Sequence, residues 1–90
     1  MKPYGLKNYK EQSAYWRRMQ QQNPMGLRHA LTMLKPETAT VLRLHYAESK
    51  SLKEIGSLIG KSNSTVRNHH NRGIFLVFQW LEYQQAPWRI

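Results

Sequence analysis

The pattern of apolar and polar residues is clearest between Leu52 and Ile59, where apolar side chains recur at the spacing of one helical face. Ser51 precedes this run and Glu54 stands three residues after Ser51, which is the pattern of a capping box that starts a helix. Gly60 follows the run and suits the left-handed residue that ends many helices. Ser62 can then cap a second helix, so the pattern predicts two helices joined by a tight turn.

The second of these helices is polar in its first half and apolar in its second half. It begins near Asn63 and continues through Tyr83, and Pro87 prevents helix beyond about Gln85. A helix, a glycine-containing turn and a polar, basic helix are together typical of a DNA-binding helix-turn-helix, whose second helix lies in the major groove. The alternative is an ordinary helical hairpin with a solvated polar face. The side chains expected to reach bases or phosphates are Lys61, Ser62, Ser64, Thr65, Arg67, Asn68, His69, Asn71 and Arg72.

The rest of the chain predicts three more helices and no strand. Residues 9–22 form the first helix and residues 24–34 the second, with a break at the proline between them. The third helix begins at Pro36 and runs to a connector at residues 47–50, whereas residues 1–7 predict a disordered tail. The predicted fold class is therefore all-α, a small helical bundle with a helix-turn-helix and a long C-terminal recognition helix.

The apolar half of the last helix needs more than one neighbour, because a helix that is apolar on nearly every face must be buried on several sides. The N-terminal helix can cover one side through Tyr9, Trp16 and Met19, and we favour this packing over a basic arm lying along DNA. The uncovered remainder favours a second copy of the chain, in a homodimer. The apolar residues concerned are Ile74, Phe75, Leu76, Val77, Phe78, Trp80 and Leu81.

A length of 90 residues fits one small domain, of a size that buries only about 60% of its unfolded surface. We divide the chain into a basic, aromatic and helical N-terminal extension over residues 1–23 and a helix-turn-helix domain over residues 24–90. The chain has no cysteine. Its longest apolar run, residues 74–78, is far shorter than the about 20 residues that cross a bilayer. We therefore expect a soluble, cytoplasmic protein with no membrane partner.

Positive charge is concentrated in two parts of the chain, whose net charge is +9 at pH 7. Residues 1–22 hold five basic residues and one acidic residue, residues 49–72 hold the same numbers, and residues 73–90 hold one of each. This distribution is the electrostatic footprint of a polyanion binder, so we expect double-stranded DNA as the partner. The bases expected at phosphates are Lys50, Lys53, Lys61 and Arg72, with Arg17 and Arg18 from the N-terminal helix.

The sequence offers no arrangement of residues that predicts catalysis. It has no nucleotide-binding loop, no defensible Ser/His/Asp set and only five acidic residues. Four histidines raise the question of a metal, but His69 and His70 diverge by about 100° on a helix and cannot easily face one ion. We therefore expect no enzyme, no cofactor and no metal site. The imidazoles are expected to contact bases or phosphates, or to be partly buried.

Three segments together resemble region four of bacterial sigma factors: residues 34–36 (Leu-Lys-Pro), residues 41–46 (Val-Leu-Arg-Leu-His-Tyr) and residues 51–72. The resemblance covers about residues 34–81. It implies a helix-turn-helix whose second helix reads a promoter element, and a surface that touches the flap of RNA polymerase. By position, it implies DNA contact for Ser64, Thr65, Arg67, Asn68 and Arg72.

The chain departs from that family's pattern at Lys61 and at His69-His70, where aliphatic residues are usual, and at its aromatic C-terminal end. Residues 65–69 also resemble the recognition helix of LuxR-type response regulators, but the loop before the motif is typically one residue shorter in that family. Ninety residues cannot hold the region that melts promoters in full sigma factors, so we expect a stand-alone transcription regulator or half of a split factor.

The alternative function is a protein-interaction module that binds RNA polymerase or a sigma factor. In that case the helix-turn-helix is a scaffold, and the aromatic C-terminal helix provides the binding surface. The residues that favour this alternative are Phe75, Phe78, Trp80 and Trp88.

Overall fold

The computed structural model describes residues 9–85, and within them the chain forms five α-helices and no strand. The predicted all-α class and small helical bundle are therefore confirmed. The tail predicted at residues 1–7 and the helix stop predicted at Pro87 lie outside the described residues. The helices are α1 (Tyr9–Gln22), α2 (Pro24–Thr32), α3 (Pro36–Tyr46), α4 (Leu52–Ile59) and α5 (Asn63–Gln85).

Helix α2 ends at Thr32, two residues before the predicted end at Leu34. The N–H groups of Met33 and Leu34 donate to carbonyl oxygens three residues back, at 3.1 and 3.2 Å, so the helix tightens as it ends. Lys35 then has an extended ψ of 144°, which suits a residue that precedes a proline. The prediction followed the apolar pattern and missed this tightening.

The start of α4 and the turn to α5 form as predicted. Ser51 Oγ accepts the N–H of Glu54 at 3.1 Å, and Glu54 Oε1 accepts the N–H of Ser51 at 2.8 Å. The hydrogen bond from the Ser51 backbone is the main reason that the pKa of the Glu54 carboxyl is lowered from its ordinary value. Gly60 ends α4 with a φ of 69°. Ser62 Oγ accepts the N–H of Thr65 at 3.2 Å and so caps α5.

Buried apolar side chains form two clusters, and α5 contributes to both. The larger cluster lies between α1, α2, α3 and the C-terminal half of α5. The smaller cluster joins α3, α4 and the start of α5 through Val41, Ile55 and Val66, which are fully buried. Helix α5 therefore belongs to the helix-turn-helix at one end and to the main core at the other. The larger cluster comprises Tyr15, Trp16, Met19, Leu27, Ala30, Leu42, Ile74, Val77, Phe78 and Leu81.

Helix α1 packs into the main core, which confirms the packing predicted for the N-terminal segment. Tyr15, Trp16 and Met19 are all buried. The Trp16 ring stacks on Tyr46 of α3, and the Tyr15 ring lies tilted against Phe78 of α5, each with ring centroids 4.5 Å apart. The side chain of Tyr9, also predicted to contribute, lies outside the described side chains.

The apolar half of α5 is buried on one side only. Ile74, Val77, Phe78 and Leu81 are buried in the main core, whereas the burial on several sides that the apolar pattern predicts does not occur within residues 9–85. On the other side, Phe75, Leu76 and Tyr83 keep 44%, 42% and 54% of their surface exposed. Among the described helices, none has the length and apolar character to cross a bilayer.

Candidate nucleic-acid interface

Exposed polar side chains occupy one face of α5 over its first three turns. Ser64, Arg67, Asn68, Asn71 and Arg72 are exposed there, and their spacings of three and four residues place them on one side of the helix. The opposite side of the same turns is buried against α3 and α4. We call these five residues the polar face of α5. A face of this kind presents donors and acceptors to a partner without disturbing the core.

The turn before α5 adds exposed groups beside the start of the polar face. Lys61 and Ser62 are exposed there. Ser62 Oγ lies 3.0 Å from Thr65 Oγ1, and half-buried Thr65 is thereby engaged with the helix cap. Within the described residues, Lys61, Arg67 and Arg72 form no ion pair. Three unpaired cations thus lie along the turn and the polar face.

His69, which the sequence groups with the DNA-contacting residues, is turned toward α3 instead of lying on the polar face. Its Nε2 donates to Glu37 Oε1 at 2.7 Å, since a carboxylate can only accept, and its Nδ1 shares a hydrogen bond of 2.9 Å with Thr38 Oγ1. Position 69 lies about 100° around the helix from Asn68, which explains the different direction. In this arrangement His69 ties α5 to the first turn of α3.

His70 is buried between α5 and the end of α3, where it forms a short chain of hydrogen bonds. Its Nδ1 lies 3.1 Å from Asn71 Oδ1, and its Nε2 lies 2.7 Å from the Tyr46 hydroxyl. Because the amide oxygen can only accept, Nδ1 donates to it, and in the neutral ring Nε2 accepts from Tyr46. Burial is the main cause that lowers the pKa of His70 and favours that neutral ring. These hydrogen bonds hold the side-chain oxygen of Asn71 inward and leave its amide N–H₂ group as a donor.

Two glycines allow the close packing that sets the direction of α5. A Cβ at Gly73 would lie 2.7 Å from Leu42 Cδ1 and 2.8 Å from Thr38 Cγ2, so α3 crosses α5 there with no room for a side chain. A Cβ at Gly56 would lie 2.8 Å from the carbonyl oxygen of Lys61, in the turn. No local pattern in the sequence gives a reason to single out Gly73.

Sequence reasoning also missed the part of α3 that lies beside the polar face. Lys35 and Thr38 line a shallow cavity together with Asn68, Asn71 and Arg72. The hydrogen bond between Thr38 and His69 joins residues 31 positions apart, and no local pattern in the chain reports such a contact. The start of α3 is therefore part of the candidate interface.

The histidines and carboxylates do not gather into a metal site within residues 9–85, where no group of three or more potential ligands lies together. The polar face of α5 and the turn before it present hydrogen-bond donors, amides and cations. Groups of these kinds recognise base edges and phosphates by direct contact.

Comparison with known proteins agrees with this geometry. A family model described as "Sigma-70, region 4" matches residues 25–74, which run from α2 into α5. The match begins nine residues before the segment in which the sequence resemblance was recognised, and it leaves α1 and the apolar half of α5 outside. No curated protein and no solved structure matches the chain. Because the family model covers more than half of the 90 residues, the chain belongs to the sigma-70 region 4 family and is a DNA-binding helix-turn-helix related to transcription.

Proposed function

We propose that this chain is a sequence-specific, stand-alone transcription regulator that reads the major groove of double-stranded DNA with α5, from Asn63 onward. It is a binding module of the cytoplasm, without catalytic activity of its own. The observation that carries the proposal is the polar face of α5, which is exposed over three turns while the rest of those turns is buried.

The chemistry of the polar face suits base reading. An arginine can donate two hydrogen bonds to the major-groove edge of guanine, and an asparagine can pair with the edge of adenine. Arg67 and Asn68 are adjacent and exposed, and Arg67 forms no ion pair with any residue of the described chain, so both can reach into the groove. Asn71 offers its amide N–H₂ group, because His70 holds its oxygen. Its preferred partner is therefore an acceptor, such as guanine O6, thymine O4 or a phosphate oxygen.

The surrounding residues are proposed to position the helix. Lys61 and Arg72 lie at the two ends of the polar face and are suited to phosphates on either side of the groove. His69 holds α5 against Glu37 and Thr38 of α3. We assign His69 this positioning role in place of direct DNA contact.

Replacing Arg67 or Asn68 by alanine is expected to weaken binding to the preferred site by about 1–3 kcal/mol each. The preferred site is first obtained by selection from random duplex DNA, and affinities are then measured by fluorescence anisotropy. The affinity for an arbitrary duplex should fall less in Asn68→Ala than in Arg67→Ala, because an amide contributes no charge to phosphate binding. Gln79→Ala is the matched control, since Gln79 is exposed on the same helix beyond the polar face. Unchanged affinity in both Arg67→Ala and Asn68→Ala would contradict the proposal.

Protein binding is the second candidate function, and the exposed apolar side of α5 favours it. A groove between α2 and α5 is lined by Ala30, Met33, Leu34, Leu76 and Trp80. Met33 is 60% exposed and Leu76 42% exposed. RNA polymerase, a sigma factor and a second copy of the chain are the proposed occupants.

For the homodimer, we expect sedimentation equilibrium at micromolar concentration to give twice the chain mass. Leu76→Glu should return the protein to a monomer, because a carboxylate would be desolvated in the interface. Ser57→Glu, at an exposed position on α4, is the control. A monomeric wild-type protein would exclude the homodimer and leave the polymerase and the sigma factor as partners to test.

A further inference from the structure

A cleft lies between α1 and the connector that leads from α3 to α4, away from the polar face of α5. Its volume is about 650 Å³. Helix α1 supplies Ser13, Arg17 and Gln20 to its lining, and the connector supplies Ser49 and Lys50. Helix α1 lies outside the family match, so this cleft is a property of this chain and not of the matched region.

The lining combines two cations with neutral hydrogen-bonding groups. Arg17 is exposed and Lys50 half-buried, and neither forms an ion pair within the described residues. The Ser13 hydroxyl is buried and has no hydrogen-bond partner among residues 9–85, so the wall of the cleft retains unused hydrogen-bonding capacity. Glu54 also lines the cleft, where its carboxylate accepts the backbone N–H of Ser51, and the nearby charge of Lys50 contributes to the lowered pKa of this carboxyl. The two cations outnumber this one carboxylate, so the cleft keeps a net positive charge for an outside anion.

The position of the cleft indicates which anion it meets. In a helix-turn-helix the second helix lies in the major groove while the first helix crosses the sugar-phosphate backbone. Helix α4 is that first helix, and Lys50 and Ser51 stand directly before it. A DNA strand crossing the start of α4 would therefore pass the mouth of the cleft.

We infer that Arg17 and Lys50 together bind one phosphate of the DNA backbone in this cleft, so that α1 is a second DNA-contacting element. The inference rests on the proposed DNA-reading function of α5. The contact is independent of base sequence, because it is made to a phosphate. It adds affinity and fixes the register of the domain on the duplex, whereas the polar face of α5 supplies specificity.

The structure separates Arg17 from its neighbour Arg18, which the sequence treats alike. Both are exposed arginines on α1, but only Arg17 lines the cleft. The guanidinium of Arg18 lies over the Tyr15 ring, 5.4 Å from its centroid. Arg18→Gln is thus a matched control for Arg17→Gln, with the same charge change on the same helix. Lys10→Gln is the corresponding control for Lys50→Gln, since Lys10 is exposed on α1 and lies outside the cleft lining.

The test measures affinity for an arbitrary duplex and for the preferred site over a range of salt concentrations. Arg17→Gln and Lys50→Gln should each weaken binding to both duplexes by about three- to tenfold, and Arg18→Gln by less than twofold. Because both side chains hold one phosphate, the double variant should lose less than the product of the two single effects. Its slope of log affinity against log salt should fall by about 0.9, as expected for one phosphate.

Three results would overturn the inference. Arg17→Gln could behave like Arg18→Gln, or the double variant could lose about 1.8 in slope, which would mean two separate phosphates. Inorganic phosphate at constant ionic strength could change the tryptophan fluorescence of the wild type but not of Arg17→Gln, while Arg17→Gln binds DNA as tightly as the wild type. That combination would assign the cleft to a free anion in place of DNA. Failure of the DNA-reading function itself is distinguishable, because it appears in Arg67→Ala and Asn68→Ala with the preferred site.

Discussion

Replacing Trp16 by alanine is expected to lower the free energy of unfolding by about 3–5 kcal/mol, the range measured for buried large aromatic side chains. Trp16 is 3% exposed, and its ring stacks on Tyr46 at 4.5 Å. The residue lies outside the matched segment, yet its loss would remove the contact between α1 and α3. A domain of this length is stable by only about 5–13 kcal/mol, so the loss would remove a large share of the total stability.

Urea unfolding followed by circular dichroism measures this effect. Arg17→Ala serves as the control, because Arg17 is exposed on the same helix and its replacement should change stability by less than about 0.5 kcal/mol. A loss below about 1 kcal/mol in Trp16→Ala would show that α1 is not part of the cooperative folding unit. The homodimer would then have to cover a larger part of the core.

Replacing Gly56 by valine is expected to abolish specific DNA binding and to destabilise the fold by about 1–3 kcal/mol. A Cβ at this position meets the backbone carbonyl of Lys61 at 2.8 Å and Val66 Cγ2 at 3.5 Å. The closer neighbour is backbone in the turn, so it can yield only if the turn shifts, and α5 follows the turn. Valine is a sharper test than alanine, because the better helix propensity of alanine offsets part of the strain by up to about 1 kcal/mol.

Gly60→Asn is the matched control in the same turn. A Cβ at Gly60 has no heavy atom within 4 Å, and asparagine tolerates the φ of 69° better than most residues. We expect DNA affinity to stay within about twofold of the wild type in this variant. If Gly56→Val bound its preferred site as tightly as Gly60→Asn, the fixed angle between α4 and α5 would not matter for recognition.

The helix-turn-helix was predictable because its determinants act over a few residues. The Ser51–Glu54 capping box, the left-handed Gly60 and the Ser62 cap each depend on contacts within about four positions. The predicted end of α2 was wrong by two residues, since an apolar pattern does not indicate that the last turn of a helix tightens. Asn23 is another local determinant. It directly follows α1, and its side-chain oxygen accepts the N–H of Gly26 and so caps α2.

The orientation of the candidate site could not be predicted, because it depends on contacts between distant residues. The sequence places His69 and His70 beside the residues that we propose read DNA, but the directions of the two imidazoles follow from where α3 crosses α5. That crossing joins His69 to Thr38 and His70 to Tyr46, at separations of 31 and 24 residues. The different surroundings of Arg17 and Arg18 likewise depend on where α1 packs.

The continuity of α5 makes the helix a lever with its pivot at Gly73. The helix is 23 residues long, or about 34 Å, and Gly73 is clamped against Leu42 and Thr38 near its middle. The Ser64 end lies about 13 Å from that pivot, so a tilt of about 5° would displace it by about 1 Å. Such a shift is comparable to the tolerance of a hydrogen bond. A protein that repacks the apolar arm of the lever would therefore change the proposed base contacts at the other arm without touching DNA.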